Sequence, residues 1–107
     1  MDSDRFLSMI GLATKAGKVK SGEFAVLGAI TGSMAFLVVV TEDMGSASYK
    51  KLSDKCAYYK VPLIKKYTRE ELGRACGQPD RSSIAVCDAG FAKALLKIAE
   101  VSAEEKH

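Results

Sequence analysis

The strongest constraint on the fold is an uninterrupted apolar run at residues 35–40, which ends in three consecutive valines. The run does not alternate between apolar and polar residues, and it is rich in β-branched side chains. It therefore predicts a central strand that is buried on both faces. The same run is far too short to cross a bilayer. A strand of this kind needs a covering layer on each side of its sheet.

Helical patterns alternate with short apolar segments along the rest of the chain. Apolar residues at helical spacing follow possible caps at residues 2–4, at Ser21 and at Asp88. A further helix is predicted over Ser46–Tyr59, and a capping box begins the next one at Thr68. In the helix capped by Ser21, the residues predicted to face inward are Phe24, Leu27 and Ile30, with Gly32 as the stop.

Two further strands are predicted at residues 61–64 and 84–87. Strands separated by helices of about ten residues favour parallel pairing with helices on both faces. We therefore expect an α/β fold, a three-layer α/β/α sandwich with a small, mostly parallel central sheet. The 107 residues are expected to form one domain, with an ordered core over residues 2–101 and a loose tail over residues 102–107.

The only histidine is His107, the last residue of the chain. A catalytic triad, a Cys–His pair or a His-ligated zinc needs an imidazole on a rigid element, which a chain end does not supply. The sequence therefore predicts no enzyme, no metal and no cofactor. Glu42 and Asp43, which follow the central strand, leave a small hydrolase open as a third interpretation.

Several features favour a cytoplasmic protein. The acidic amino terminus has no apolar signal-peptide core behind it. Three cysteines without CxxC spacing are best interpreted as reduced thiols in the core: Cys56, Cys76 and Cys87. No membrane contact is expected.

Positive charge is concentrated in the middle of the chain. Residues 15–81 contain twelve basic and seven acidic side chains, although the whole chain has a net charge of only +3. Between Lys50 and Arg69, seven basic residues accompany Asp54 alone. This distribution is compatible with a solvated helix face or with a surface for a polyanion.

The most informative segment is residues 15–23, in which three lysines and two glycines lead into a predicted helix. A helix amino terminus offers free N–H groups to phosphate, and Gly22 allows a backbone to come close. Glu23 could accept a hydrogen bond from a base. Phosphate donors beside one base-reading acceptor suit RNA better than a small metabolite.

The chain also resembles a known family over most of its length, from about Phe6 to Leu96. The resemblance rests on residues 12–18, 21–23, 42–43, 56–62 and 71–77, and its most specific part is Leu-Gly-Arg-Ala-Cys-Gly at residues 72–77. These segments resemble the superfamily of kink-turn-binding ribosomal proteins of the L7Ae/L30e type. They are closest to its short bacterial, YlxQ-type members, and the resemblance implies an α/β/α sandwich.

By this resemblance, residues 20–23 would enter the RNA major groove at sheared G·A pairs, where Glu23 accepts from a guanine. Asp43 would lie beside them, and a loop over residues 78–83 would cradle an extruded nucleotide. Lys20 stands where the family usually has glycine, and Val26 stands at the position of an RNA-contacting lysine. These differences weaken the expectation of strict kink-turn specificity.

The sequence thus predicts a small ribosomal-like RNA-binding protein, monomeric off its RNA, that recognises structured RNA such as ribosomal RNA. The alternative is a protein–protein adaptor of the same fold without RNA affinity, which Val26 favours. The predicted RNA-binding residues are Lys18, Lys20, Ser21, Gly22, Glu23, Asp43, Arg74, Arg81 and Ser82.

Overall fold

Five helices and four strands make up the part of the chain that the computed structural model describes, residues 2–105, with side chains described over residues 5–100. In chain order the elements are α1 (Asp2–Lys15), β1 (Val19–Ser21), α2 (Glu23–Thr31), β2 (Leu37–Val40), α3 (Ser46–Tyr59), β3 (Leu63–Lys65), α4 (Arg69–Ala75), β4 (Ser83–Val86) and α5 (Ala89–Glu105). None of these helices is both long enough and apolar enough to pass through a membrane.

The four strands form one mixed sheet in the order β1-β4-β2-β3. Only β2 and β3 pair in parallel, whereas β4 is antiparallel to both β1 and β2. The expectation of a mostly parallel sheet is therefore wrong. The reason is that the chain returns, after α4 and the loop that follows it, to the place where α4 began. The Arg81 backbone nitrogen lies 3.5 Å from the Arg69 carbonyl oxygen. β4 consequently starts at the edge where β3 ends, and the two strands run in opposite directions.

Apolar clusters cover both faces of the sheet, which confirms the α/β/α layers. Leu37 and Val39 of β2 pack in one cluster with α1, α4 and α5, while Val38 and Val40 pack in the other with α2 and α3. All four residues of β2 are buried. The prediction of a strand buried on both faces is confirmed.

Several local predictions are also confirmed. α3 spans Ser46–Tyr59, as predicted. At α4 the Thr68 hydroxyl accepts from the Glu71 N–H, and the Glu71 carboxylate accepts from the Thr68 N–H. Asp88 caps α5 by accepting from the Phe91 N–H at 2.9 Å. The predicted caps at residues 2–4 lie outside the described side chains. α5 continues to Glu105, inside the segment expected to be loose, and residues 106–107 lie outside the described part.

The predicted inward face of α2 is confirmed at Ile30, which is buried, and at Leu27, which packs against the core, but it is wrong at Phe24. Phe24 is 93% exposed instead of facing the core, and the buried residues are Val26, Ala29 and Ile30. Every residue from Phe24 to Ile30 is apolar or glycine, so the spacing alone did not identify the buried face. Ser21 is not the cap of α2. It is the last residue of β1, and Gly22 precedes the helix.

None of the three cysteines forms a disulfide. Cys56 and Cys76 are buried, and Cys87 is partly buried. Burial raises the pKa of the Cys56 thiol to about 11, and it also raises the pKa of the other two. All three are protonated thiols at neutral pH, as expected for side chains that fill a core.

Candidate nucleic-acid interface

Most of the predicted site residues meet where three strands end and β4 begins. The Gly22 N–H, directly after β1, donates to the Ser83 carbonyl oxygen at 3.0 Å. The Thr41 N–H, directly after β2, donates to the Ser82 carbonyl oxygen at 3.0 Å. The backbone therefore holds residues 20–23, 41–43 and 81–83 at one edge of the sheet, which we call the strand-end edge.

Arg81 ties the two sides of the strand-end edge together. Its Nε donates to the Ser21 hydroxyl at 3.2 Å. Its two terminal nitrogens donate to the Asp80 carbonyl oxygen at 3.2 Å and to the Gln78 side-chain oxygen at 3.4 Å. All three partners are neutral acceptors, and Arg81 forms no ion pair with a carboxylate of the described residues. Its position is therefore fixed while its charge is left uncompensated.

Gly22 makes the turn between β1 and α2. Its φ of 93° and ψ of 149° lie in a region that glycine adopts far more readily than other residues. A side chain would have room, because a Cβ would lie 4.0 Å from its nearest neighbour, the Arg81 Nε. The backbone conformation therefore explains the glycine, and the sharp turn places the start of α2 directly beside Arg81.

Glu23, the first residue of α2, is an ionised acceptor that α3 holds in place. Its Oε2 lies 3.1 Å from the Lys51 Nζ. The Ser48 hydroxyl, followed by the Lys51 ammonium, holds the pKa of Glu23 below its ordinary value. The predicted base-reading carboxylate is thus negatively charged and oriented before any ligand is present.

Asp43 lies on the strand-end edge, but its carboxylate faces α4. Both of its oxygens accept from the Arg69 N–H, at 3.1 and 3.2 Å. The pKa of Asp43 is lowered first by the neighbouring Thr41 hydroxyl and also by the Arg69 N–H. Asp43 therefore anchors the loop after β2 to the start of α4, which is a poor position for a hydrolytic base beside Glu42.

The two lysines near β1 occupy different positions. Lys20 is exposed on β1, opposite Ala85 of β4, and side chains alternate along a strand, so it faces away from the side that holds the Ser21 hydroxyl. Lys20 and Arg81 thus flank Gly22 from the two faces of the sheet. Lys18 is exposed at the other end of β1, about 10 Å from Ser21 at 3.3 Å per residue.

Arg74 is not part of the strand-end edge. Its guanidinium pairs with Glu70 at 2.9 Å on the exposed side of α4. It also lines a shallow groove together with Leu7 and Ser8 of α1. The side-chain hydrogen bond and ion pair of Arg74 within residues 5–100 go to Glu70 and not to another predicted site residue.

With this geometry established, comparison with known proteins places the chain in a family. The model of the ribosomal protein L7Ae/L30e/S12e/Gadd45 family matches residues 4–96. The chain belongs to the L7Ae/L30e/S12e/Gadd45 family. It is similar to RNA-binding protein YlxQ of Bacillus subtilis (strain 168), with 44% identity over 98 residues that cover 92% of this chain and 98% of the relative. RNA-binding protein YlxQ of Enterococcus faecium is 34% identical over 94 residues, 88% of this chain and 90% of the relative.

Solved structures of two other proteins have the same fold. A protein with unknown function from Bacillus halodurans C superposes with a TM-score of 0.86 at 38% identity, covering 89% of this chain and 96% of that one. The 15.5kD RNA binding protein of Giardia lamblia superposes with a TM-score of 0.81 at 19% identity, covering 95% of this chain and 88% of that one. The resemblance to a YlxQ-type member of the L7Ae/L30e superfamily is confirmed.

Two features of this L7Ae-family chain were not predicted. Lys51 and Ser48 of α3 hold Glu23, although the only sequence signal was the general excess of basic residues from Lys50 to Arg69. Val26, interpreted as replacing an RNA-contacting lysine, is fully buried between α2 and the sheet. Val26 is therefore a core residue, and it does not support the loss of an RNA-binding surface.

Proposed function

We propose that the chain is a small cytoplasmic RNA-binding protein that recognises structured RNA of the kink-turn type through the strand-end edge, without catalysis. We further propose that it acts as a monomer on ribosomal RNA. Its family membership supports RNA binding, as do two bacterial relatives that are each named RNA-binding protein. The Glu42–Asp43 hydrolase has no support in the geometry, because the Asp43 carboxylate is engaged with the start of α4.

The observation that carries the proposal is the uncompensated positive charge around the start of α2. Lys20 and Arg81 flank Gly22 and have no carboxylate partner among the described side chains. The first N–H groups of a helix add a partial positive charge at the same place. Two cations and a helix start that meet at an unobstructed backbone form a surface for a phosphodiester chain.

Glu23 gives this surface its selectivity. A carboxylate beside phosphates repels them, so an ionised Glu23 favours an RNA that offers a hydrogen-bond donor at that point. The edge of a guanine offers N–H donors, and sheared G·A pairs expose such an edge. We propose that Lys20 and Arg81 contact phosphates while Glu23 accepts from a base.

The remaining predicted residues take supporting roles in the proposal. Ser21 and Asp43 position Arg81 and the loop after β2, respectively, and Ser82 belongs to the loop that would hold an extruded nucleotide. Lys18 would contact a flanking phosphate at the far end of β1. Arg74 is left out of the proposed interface because it lies on the α1 side of α4.

The test compares a kink-turn RNA containing G·A pairs with a duplex of matched length by fluorescence anisotropy. Glu23→Ala should weaken kink-turn binding by about 1–3 kcal/mol and leave duplex binding nearly unchanged. Lys20→Ala should weaken both RNAs to a similar extent, since it removes a phosphate contact. Lys97→Ala on α5 removes the same charge at a position remote from the strand-end edge, and it should change neither affinity.

The measured affinities distinguish recognition of a base from simple electrostatic attraction. Equal effects of Glu23→Ala on the two RNAs would refute the reading of a base by Glu23. Equal effects of Lys20→Ala and Lys97→Ala would refute the strand-end edge as the binding surface and leave only a general attraction of a basic protein for RNA.

A further inference from the structure

Exposed hydrophobic side chains gather at the end of the sheet opposite the strand-end edge. Of the six large hydrophobic residues exposed within residues 5–100, four lie at this end: Met34, Phe36, Tyr58 and Tyr59. Phe36 comes directly before β2 and is 46% exposed, and Tyr58 at the end of α3 is 79% exposed. Apolar surface of this kind is concentrated where proteins bind partners, whereas single exposed residues need no explanation.

Phe36 separates two cavities at this end. One, of about 590 Å³, lies against α5 and is lined by Phe36, Ala92 and Leu96. The other, of about 250 Å³, lies between Phe36 and Tyr59 and is also lined by Pro62. Together they form a groove that runs from the end of α3 across the start of β2 to α5, which we call the Phe36 groove.

The sides of the Phe36 groove are basic. Lys93 and Lys97 line the α5 side together with a single acid, Glu100. Lys60 lines the other side, where it ends α3 with a φ of 60°, a left-handed conformation that favours glycine. None of these three lysines pairs with a carboxylate of the described residues.

We propose that the Phe36 groove binds an acidic, amphipathic segment of a partner protein. Apolar side chains of the segment would fill the cavity against α5, whose lining is mostly apolar, and its polar groups would enter the smaller cavity, whose lining is mostly polar. Its carboxylates would meet Lys60, Lys93 and Lys97. An apolar groove with a charged rim is a common design for holding an amphipathic segment. The partner's negative charge would complement a rim that this chain leaves uncompensated.

Other occupants fit the groove less well. A second copy that docked with the same groove would place lysines against lysines, since a two-fold contact pairs identical patches. A nucleic acid would find lysines and two exposed rings, Phe36 and Tyr59, on which bases stack. The larger cavity, against α5, adds alanine and leucine side chains, which offer bases no stacking surface and match the aliphatic side chains of a protein.

The groove and the strand-end edge can be occupied at the same time. Phe36 and Thr41 lie directly before and directly after β2 (Leu37–Val40), so the two surfaces lie about 16 Å apart along the strand at 3.3 Å per residue. An RNA at one end would leave the other end open. The protein would then connect an RNA to an acidic protein, which goes beyond the function proposed above.

The test uses a phage library of random 16-residue peptides, selected against the full chain. Peptides from the final round are synthesised and titrated into the ¹⁵N-labelled protein. We expect enriched sequences with several acidic residues and with apolar residues three and four positions apart. They should shift the amide signals around Phe36 and Leu96, and the double variant K93E/K97E should bind them at least tenfold more weakly.

A second variant, Phe36→Ser, tests the apolar part of the groove and should also lose at least tenfold in peptide affinity. Melting temperature and kink-turn affinity are measured for both variants and should match the wild type, which separates this proposal from the function proposed for the strand-end edge. The following results would each overturn the proposal: no enrichment, enriched peptides without acidic residues, or peptides that bind the variants as well as the wild type. Signal shifts around Phe36 on adding single-stranded oligouridine would assign the groove to nucleic acid, and the same shifts on concentrating the protein alone would assign it to a dimer.

Discussion

At the scale of single residues, Gly22 decides whether the strand-end edge can form. Its φ of 93° and ψ of 149° are accessible to an alanine only with strain. We expect Gly22→Ala to lower the free energy of unfolding by about 1–3 kcal/mol, which is the usual range for backbone strain of this kind. Urea denaturation followed by circular dichroism measures the change.

Gly28→Ala is the matched control. Gly28 lies inside α2, is exposed, and has nothing within 4 Å of the position of a Cβ. Alanine is favoured over glycine inside a helix by about 0.5–1 kcal/mol, so this variant should be as stable as the wild type or more so. If the two substitutions changed stability equally, backbone strain would not explain the loss of stability in Gly22→Ala.

The lowered pKa of Glu23 makes the stability of the fold depend on pH. Its folded-state pKa is lowered by the Ser48 hydroxyl and then by Lys51, so its ionised form stabilises the fold at pH values above the ordinary glutamate pKa. That contribution is lost as the pH falls through the lowered pKa. Ser48→Ala and Lys51→Ala should each raise the pKa of Glu23, as measured by NMR titration of the carboxyl carbon.

Lys50→Ala serves as the control for that titration. Lys50 precedes Lys51 directly, but its ammonium pairs with Asp54 at 3.0 Å. Removing it should leave the pKa of Glu23 where it is in the wild type. If Lys50→Ala raised the pKa of Glu23 as much as Lys51→Ala does, the general positive charge of α3 would be the cause of the lowered pKa. The specific contact between Lys51 and Glu23 would then not be the cause.

At the scale of elements, α4 and its loop depend on Gly73. A Cβ at this position would lie 2.6 Å from the Gln78 carbonyl oxygen and 3.2 Å from the Arg81 backbone nitrogen. Because these neighbours are backbone atoms, they move only if the loop moves. We expect Gly73→Ala to lower the free energy of unfolding by about 1–3 kcal/mol and to speed amide hydrogen exchange across residues 78–82.

Arg74→Ala, one residue along α4, is the control for the loop. The ion pair between Arg74 and Glu70 is exposed, and such pairs on a helix contribute about 0.3–0.5 kcal/mol. The variant should therefore stay close to the wild type and keep its loop protected. Protection of the loop in Gly73→Ala would show that the loop tolerates the extra carbon.

Local signals predicted the elements well, and contacts between distant residues escaped prediction. α3 and the Thr68–Glu71 capping box depend on neighbouring residues, and both are as predicted. β1 was missed because three residues make no pattern of their own, and it is a strand only because β4 pairs with it.

The segment proposed as the site stood out in the sequence, but the contacts that hold its side chains did not. The segment at residues 20–23 stood out through its lysines, glycine and acid. The Arg81–Ser21 hydrogen bond joins residues that are 60 positions apart, and the Lys51–Glu23 pair spans 28 positions. No spacing rule reaches that far, so the direction of each side chain had to come from the fold.

At the scale of the whole molecule, ion pairing decides which cations are available to RNA. Lys50, Lys51, Arg69 and Arg74 already have carboxylate partners, whereas Lys18, Lys20 and Arg81 have none in the described part of the chain. With about three or four phosphates neutralised, the logarithm of the binding constant should fall with the logarithm of salt concentration with a slope of roughly −2 to −4. Anisotropy titrations at several KCl concentrations give the slope.

The Lys20→Ala variant refines this measurement, because loss of one phosphate contact should flatten the slope by about one unit. Lys97→Ala should leave the slope as it is. A wild-type slope near zero would show that phosphate contacts contribute little, contrary to the role given to Lys20 and Arg81.

The order of the strands also determines when the strand-end edge can assemble during synthesis of the protein. β4, the last of the four strands within residues 2–105, lies between β1 and β2 in the sheet. A nascent chain that lacks residues 83–86 therefore has no partner for β1, and a chain that ends before Arg81 has nothing to hold Ser21. A chain that is still being synthesised therefore emerges from the ribosome without an assembled strand-end edge. On the function proposed above, a translation product that stops before β4 would not compete with the finished protein for its RNA.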